Sequence, residues 1–242
     1  MIGGRGRTAA VLCCALALAL VAAPAANADD EARACVRATD HETSIRACTE
    51  LLKTDPNNVV ALNHRGNGYR VAGNVEAALK DHTRAIGLAP DFAPAFNSRC
   101  LDQMSKGDLP AAIADCSQAI KINPKYAAAY FGRGIAKARQ SDFEAAIADH
   151  SQAITLNPRY AKAYNGRAWA NLKAGRRAEA LQDVSKALEL SPDDAAALDT
   201  RAHIHEAMGR KSEAIADYRR ALAKQPGLAE SLEGLKRLKA KP

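Results

Sequence analysis

The chain has 242 residues, of which 48% are hydrophobic, 25% charged and only 5% aromatic, and its 34 Lys+Arg against 27 Asp+Glu give a net charge of +7. This is a folding composition rather than a disordered one, and with so few aromatics alanine and other small residues must do most of the packing, which favours closely packed helices. No apolar run reaches 18 residues, which excludes a multi-span membrane protein, and the basic residues alternate with acids, which argues against a nucleic-acid partner.

At the N-terminus Arg5 and Arg7 precede an apolar run from Ala9 to Ala23, which leads into Ala26, Asn27 and Ala28 and then into Asp29, Asp30 and Glu31. The run is too short to cross a bilayer as a stable helix, and the small-residue site after it predicts a secretory signal peptide over 1–28, cleaved after Ala28. Cys13 and Cys14 lie inside the run rather than after it, which disfavours a lipid-attached cysteine. Export, expected to the periplasm with no membrane span after cleavage, would put Cys35, Cys48, Cys100 and Cys116 where disulfides persist.

From there on prolines fall at Pro56, Pro90, Pro124, Pro158, Pro192 and Pro226, each 34 residues after the last. With proline as the thirty-second position, the chain divides into a divergent N-terminal unit at 29–58, five units at 59–92, 93–126, 127–160, 161–194 and 195–228, and a tail at 229–242. The twentieth position is Ala78, Ala112, Ala146, Ala180 and Ala214, and the twenty-seventh is Ala85, Ala119, Ala153, Ala187 and Ala221. The eighth is also small: Gly66, Cys100, Gly134, Ala168 and Ala202. At the fifteenth, Gly73, Gly107, Ser141, Gly175 and Gly209 can end one helix, and Asn74, Asp108 or Asp142 follows as a cap for the next. Isoleucines at helical spacing, such as Ile113 with Ile120 and Ile147 with Ile154, mark the second helix, and the proline closes it. Each unit reads as a helical hairpin.

This pattern resembles the tetratricopeptide repeat family, whose units have 34 residues with small side chains at eight, twenty and twenty-seven and proline at thirty-two. The resemblance covers nearly all of the chain after the signal segment. It implies an all-α fold, a right-handed α-solenoid of antiparallel helix pairs. The family's tyrosine at position eleven survives only as Tyr69, replaced elsewhere by Gln103, Lys137, Asn171 and His205. A bulky residue at position four is kept, as Leu62, Phe96, Tyr130, Tyr164 and Leu198.

A repeat array needs its ends covered. The tail carries leucines at 228, 232, 235 and 238 with charges between, and predicts a C-terminal capping helix. At the other end the first unit has Ser44 and Leu51 where later units have alanine. Cys35 and Cys48 fall on its two helices, and Cys100 and Cys116 on the two helices of the third unit, so disulfides within units are the simplest pairing; buried reduced thiols are the alternative. In the five later units position seven is arginine, Arg65, Arg99, Arg133, Arg167 and Arg201, and position twenty-three aspartate, Asp81, Asp115, Asp149, Asp183 and Asp217, whereas the first unit has Glu31 and Ala47. Pairing inside each unit leaves none over, and the repetition suits a packing device rather than a catalytic pair.

Signatures of chemistry do not emerge. His82 and His150 sit at position twenty-four, where a core side chain is expected, and His203 and His205, two apart on a helix, cannot face the same way to hold zinc. There is no glycine-rich phosphate loop, no G-x-S-x-G elbow and no cysteine beside an obvious base, so neither a metal, a cofactor nor an enzymatic activity is expected. The resemblance assigns ligand contacts mainly to positions two, five, nine, twelve and thirteen of the first helices, the concave face. In successive units these give Asn63, Asn67 and Arg70; Asn97, Leu101 and Met104; Phe131, Ile135 and Arg139; and Lys162, Asn165, Trp169, Leu172 and Lys173, followed by Asp199, His203 and Glu206. The middle is apolar and its margins are expected to be basic, which suits a protein or peptide with apolar anchors and some acidic character. The other reading of the same residues is packing against neighbouring helices. Members of the family that clamp chaperone C-terminal carboxylates use three cations and two asparagines at five such positions, where this chain has Asn63, Asn67, Ser98, Ala128 and Gly132 and none of the cations, so that ligand is not expected. The expected function is an exported, non-catalytic scaffold, and the rival is an assembly component of an envelope complex that uses its convex face or ends.

Overall fold

The computed structural model describes residues 26–37 and 40–241, with the backbone alone at 26–31. The expected signal segment up to residue 25 lies outside the described residues, and the expected cleavage site falls in the first turn of α1. The described residues form thirteen helices and no strand: α1 (Ala26–Arg37), α2 (His41–Thr54), α3 (Val59–Val71), α4 (Val75–Leu88), α5 (Ala93–Lys106), α6 (Leu109–Ile122), α7 (Ala127–Arg139), α8 (Phe143–Leu156), α9 (Ala161–Lys173), α10 (Arg177–Leu190), α11 (Ala195–Ala207), α12 (Lys211–Lys224) and α13 (Ala229–Arg237).

Their ends follow from local chemistry. The residue before each proline is barred from the α region, so Ala89, Asn123, Asn157, Ser191 and Gln225 take extended ψ values of 84 to 93° and stop the second helices. First helices turn through the fifteenth position in the left-handed region, at φ 81° for Gly73, 83° for Gly107, 82° for Gly175 and 76° for Gly209. Ser141 adopts the same turn at φ 65° without glycine's freedom. The next residue caps the following helix where it can: Asn74, Asp108 and Asp142 accept from the backbone N–H groups of Ala77, Ala111 and Ala145 at 3.1, 3.1 and 3.2 Å. Arg176 and Arg210, at the same place in later units, make no such bond.

Each helix packs on its hairpin partner and on the first helix of the next hairpin. First helices also pack on the next first helix, α3 on α5, α5 on α7, α7 on α9 and α9 on α11, whereas among the described residues no two second helices bring their backbones as close. The array therefore curves with the first helices on its inner side, an all-α solenoid. The alanines at positions twenty and twenty-seven are all buried.

The gap between paired helices is filled by a size rule not evident from single positions. Position twenty-four is Cys48, His82, Cys116, His150, Val184 and Tyr218 in successive units, and it meets position eight of its own unit and position six of the next. A Cβ added at Gly66 would lie 2.5 Å from the His82 ring, one at Gly134 2.7 Å and one at Gly166 2.8 Å from the His150 ring, and one at Gly234 2.3 Å from the Tyr218 ring. Each large side chain at twenty-four thus coexists with glycine at one or both of these positions, while the smaller Val184 coexists with Ala168 and Thr200. In the third unit the filler is covalent: Cys100 is bonded to Cys116, with Cα atoms 5.5 Å apart. Cys35 is bonded to Cys48 at 4.7 Å, and the pair anchors the N-terminal core with Leu51, Leu52, Ala61 and Leu62.

All five arginines at position seven pair with the aspartate of their own unit through two hydrogen bonds of 2.6 to 2.9 Å. The carboxylates are nearly buried, deeper than a surface pair. In four of the five, Arg65, Arg99, Arg133 and Arg167, the remaining guanidinium nitrogen donates to the hydroxyl of Thr49, Thr83, Ser117 or Ser151 in the preceding unit, which ties these units together. Hydrogen bonding to the aspartate, against the cost of burial, raises the pKa of Arg65, Arg99, Arg133 and Arg201.

At the C-terminal end α13 differs from the expected leucine stripe. Leu235 is buried and Leu228 and Leu238 pack beside it, but Leu232 is turned to solvent. The inward face is completed by Ser231, whose hydroxyl donates to Asp199 Oδ1 at 2.6 Å, and by Gly234 over Tyr218. A helix turns 100° per residue, so 228, 231, 235 and 238 share one face and 232 falls beside it. The helix closes at Arg237, whose guanidinium binds Glu206.

Candidate functional site

Three adjoining pockets run along the inner face. The first, of about 470 Å³, is lined by Phe131 and Ile135 of α7, Lys162, Asn165, Gly166 and Trp169 of α9, Asp194, Ala196, Asp199 and Thr200 at and in α11, and Leu228 and Glu230 at α13. A second, of about 220 Å³, shares Ile135, Gly166 and Trp169 with it and adds Ala138, Arg139 and His150. A third, of about 520 Å³, is lined by Arg70, Leu101, Met104, Ser105, Ile135 and Arg139. Ile135 borders all three and Arg139 the last two, so they form one groove from α3 to α13.

Of the residues expected on this face, the groove brings together Arg70, Leu101, Met104, Phe131, Ile135, Arg139, Lys162, Asn165, Trp169 and Asp199. Asn67 lies apart, in a separate hollow of about 250 Å³ with His41, Ser44 and His64. Asn63 and Asn97 are buried beneath the face, each with an Oδ1 that has no partner, and Leu172 packs toward the core around Val184 and Leu198. Lys173 lies over the Trp169 ring at 4.3 Å, a cation–π contact that fixes the indole's outer side. The Trp169 and His203 rings meet edge-on with centroids 5.6 Å apart.

The electrostatics differ from the expected basic margins at one end. Arg70 and Arg139 make the α3 to α7 end basic, but Asp194, Asp199 and Glu230 make the α11 to α13 end acidic. Asp194, Leu228 and Glu230 were not among the expected contacts, because the tail was read only as a cap. It also continues the repeat phase: Glu230 is position two of a seventh first helix, and that register was the available signal.

Histidines line or underlie this face. His150 is buried with Nδ1 unpartnered, and burial pushes its pKa from 6.5 down to about 4. The Phe131 ring lies 5.6 Å from it. His82 is better satisfied, with Nδ1 2.5 Å from Asp102 Oδ2 and Nε2 3.2 Å from the Asn63 carbonyl oxygen. For His203, burial works against the charged form, but the hydrogen bonds and field of Asp199 outweigh it and raise the pKa. His205 faces away from it, toward Asp217, with burial lowering its pKa. Among the described residues no group of three His, Cys, Asp or Glu side chains could hold a metal, and no helix is long and apolar enough to cross a membrane.

The fold recurs in solved structures. A tetratricopeptide repeat protein from Parabacteroides merdae is 23% identical with a TM-score of 0.68, covering 82% of this chain and 78% of that one. PilW, a type IV pilus biogenesis factor, is 21% identical with a TM-score of 0.73, covering 86% and 98%. The Cut9–Hcn1 assembly of the APC/C gives 18% identity and a TM-score of 0.75, and this chain spans 39% of the chain it matches there. Comparison with curated protein sequences gives no match. Family models match residues 103–141 as a TPR repeat, and 134–195 and 195–228 as tetratricopeptide repeats. Together these matches run from 103 to 228, just over half of the sequence, and with the hairpin geometry they place the chain in the tetratricopeptide repeat family.

Proposed function

We propose that this protein is an exported, non-catalytic scaffold that binds an extended segment of a partner protein along the groove made by its first helices. Tetratricopeptide repeats are interaction modules, and the observation that carries the finer reading is the groove's continuity: three pockets joined through Ile135, with apolar walls from Phe131, Ile135 and Trp169. Two paired disulfides favour an oxidising compartment, and likeness to PilW is compatible with a role in the envelope. The repeat units at 59–228 supply most of the groove, the unit at 29–58 caps one end, and the segment 229–242 caps the other and adds Glu230 to the groove.

The test is affinity capture from an envelope extract with the oxidised protein beside a Phe131→Ala, Trp169→Ala variant whose helicity is unchanged. A partner retained by the first and lost by the second is the expected result. Equal retention would move binding to the convex face or the ends and refute the groove reading.

A further inference from the structure

The charges at the two ends of the groove narrow the class of ligand, on the reading that the groove binds a peptide. Arg139 is exposed; its Nη1 donates to the Met104 carbonyl oxygen at 3.1 Å, and it has no carboxylate partner among the described residues. Arg70 lies in the same pocket, its Nε 3.7 Å from Asp102. At the opposite end Lys162 is the single cation lining the first pocket against three carboxylates. Asp199 is engaged by Ser231 and lies beside His203, and Asp194 caps α11. Glu230, exposed on the first turn of α13, is in no ion pair among the described residues. Between the two ends the walls are apolar, and His150, buried with Nδ1 unpartnered, lines the connecting pocket.

We propose that the groove selects an extended peptide by charge polarity: an acidic residue against Arg139 and Arg70, an apolar side chain between Phe131 and Trp169, and a basic residue against Glu230 and Asp194. Three steps between neighbouring first helices separate α7 from α13, at about 8–10 Å each. An extended chain rising about 3.3 Å per residue then needs roughly eight residues from acid to base, with the anchor between. A peptide acidic throughout meets repulsion at α13, and one basic throughout meets it at Arg139.

The test uses the purified protein and fluorescein-labelled peptides of about a dozen residues with one central phenylalanine, carrying glutamates at one end and lysines at the other, in both chain directions. Comparison peptides carry glutamates at both ends, lysines at both ends, or serine for the phenylalanine, and affinity is read by fluorescence anisotropy. At low salt the polarised peptide is expected to bind about tenfold tighter than either uniform one in one chain direction, a gap that narrows in high salt. Glu230→Lys should move the preference to the doubly acidic peptide and Arg139→Glu to the doubly basic one, neither change altering helicity. Equal affinity for all three charge patterns, still lost on Trp169→Ala, overturns the polarity and leaves the groove reading standing. Binding that ignores both Trp169→Ala and the serine replacement, or no binding of any peptide, overturns the groove reading and the polarity with it.

Discussion

Acid should weaken this solenoid through one buried side chain. His150 is held neutral because burial lowers its pKa from 6.5 to about 4. In the unfolded chain the same imidazole takes up a proton as pH falls through 6.5, while the folded chain resists until about pH 4. Stability from this group is therefore complete above pH 6.5 and is lost as pH falls toward 4. At 1.36 kcal/mol per unit, the loss is about 2 kcal/mol at pH 5 and about 3 kcal/mol at pH 4. His150→Val provides the reference, since Val184 occupies the same repeat position in the next unit and does not titrate. Urea unfolding followed by circular dichroism between pH 7.5 and 4, on both proteins, isolates the term because other groups titrate alike in each. The variant's curve should be flatter, and the difference between the two should shift in its favour by about 3 kcal/mol across the range. Two curves that stay parallel within about 0.5 kcal/mol would refute the account of His150 as a buried neutral base.

Three further predictions concern the repeat's construction. Gly134→Ala puts a Cβ 2.7 Å from the His150 ring and should cost about 1–3 kcal/mol in urea unfolding; combined with His150→Val, which recreates the Ala168 and Val184 pairing, most of that cost should disappear in a double-mutant cycle. Ser141→Gly, which relieves a φ of 65° that the other units assign to glycine, should stabilise by about 0.5–1 kcal/mol, and a destabilised variant would mean that the hydroxyl matters more than the backbone. Replacing Cys100 and Cys116 together with alanine should cost about 3 kcal/mol of thermal or urea stability, and an unchanged midpoint would show that the bond constrains nothing the packing does not already fix.

The hairpins could be read in one dimension because their causes are local. Proline bars the preceding residue from the helix, glycine takes the left-handed turn, and aspartate caps the next helix, each within a few residues of its effect. The arginine and aspartate pairing inside units was also legible, because a strict period leaves only one assignment without orphans. The two disulfides lay at the edge of legibility: spacing put each cysteine pair on facing helices, and the structure supplies the distance between them.

What sequence alone could not decide was which side each inner residue takes. Asn63, Asn97 and Leu172 sit at positions that were expected to face a ligand, yet Asn63 and Asn97 are buried and Leu172 packs toward the core around Val184 and Leu198. The size matching of position twenty-four with eight and with six of the following unit spans residues 16 apart on paired helices, as in His150 with Gly134, and also 16 apart across units, as in His150 with Gly166. The acidic end of the groove likewise exists only because α13 stacks on α11 and brings Glu230 beside Asp194 and Asp199. Period and composition determined the helices, their order and their internal ion pairs, since these depend on neighbours along the chain. The tertiary structure decided the groove's shape and polarity, since these depend on how far each hairpin turns against the next, which the side chains between helices set by their volume.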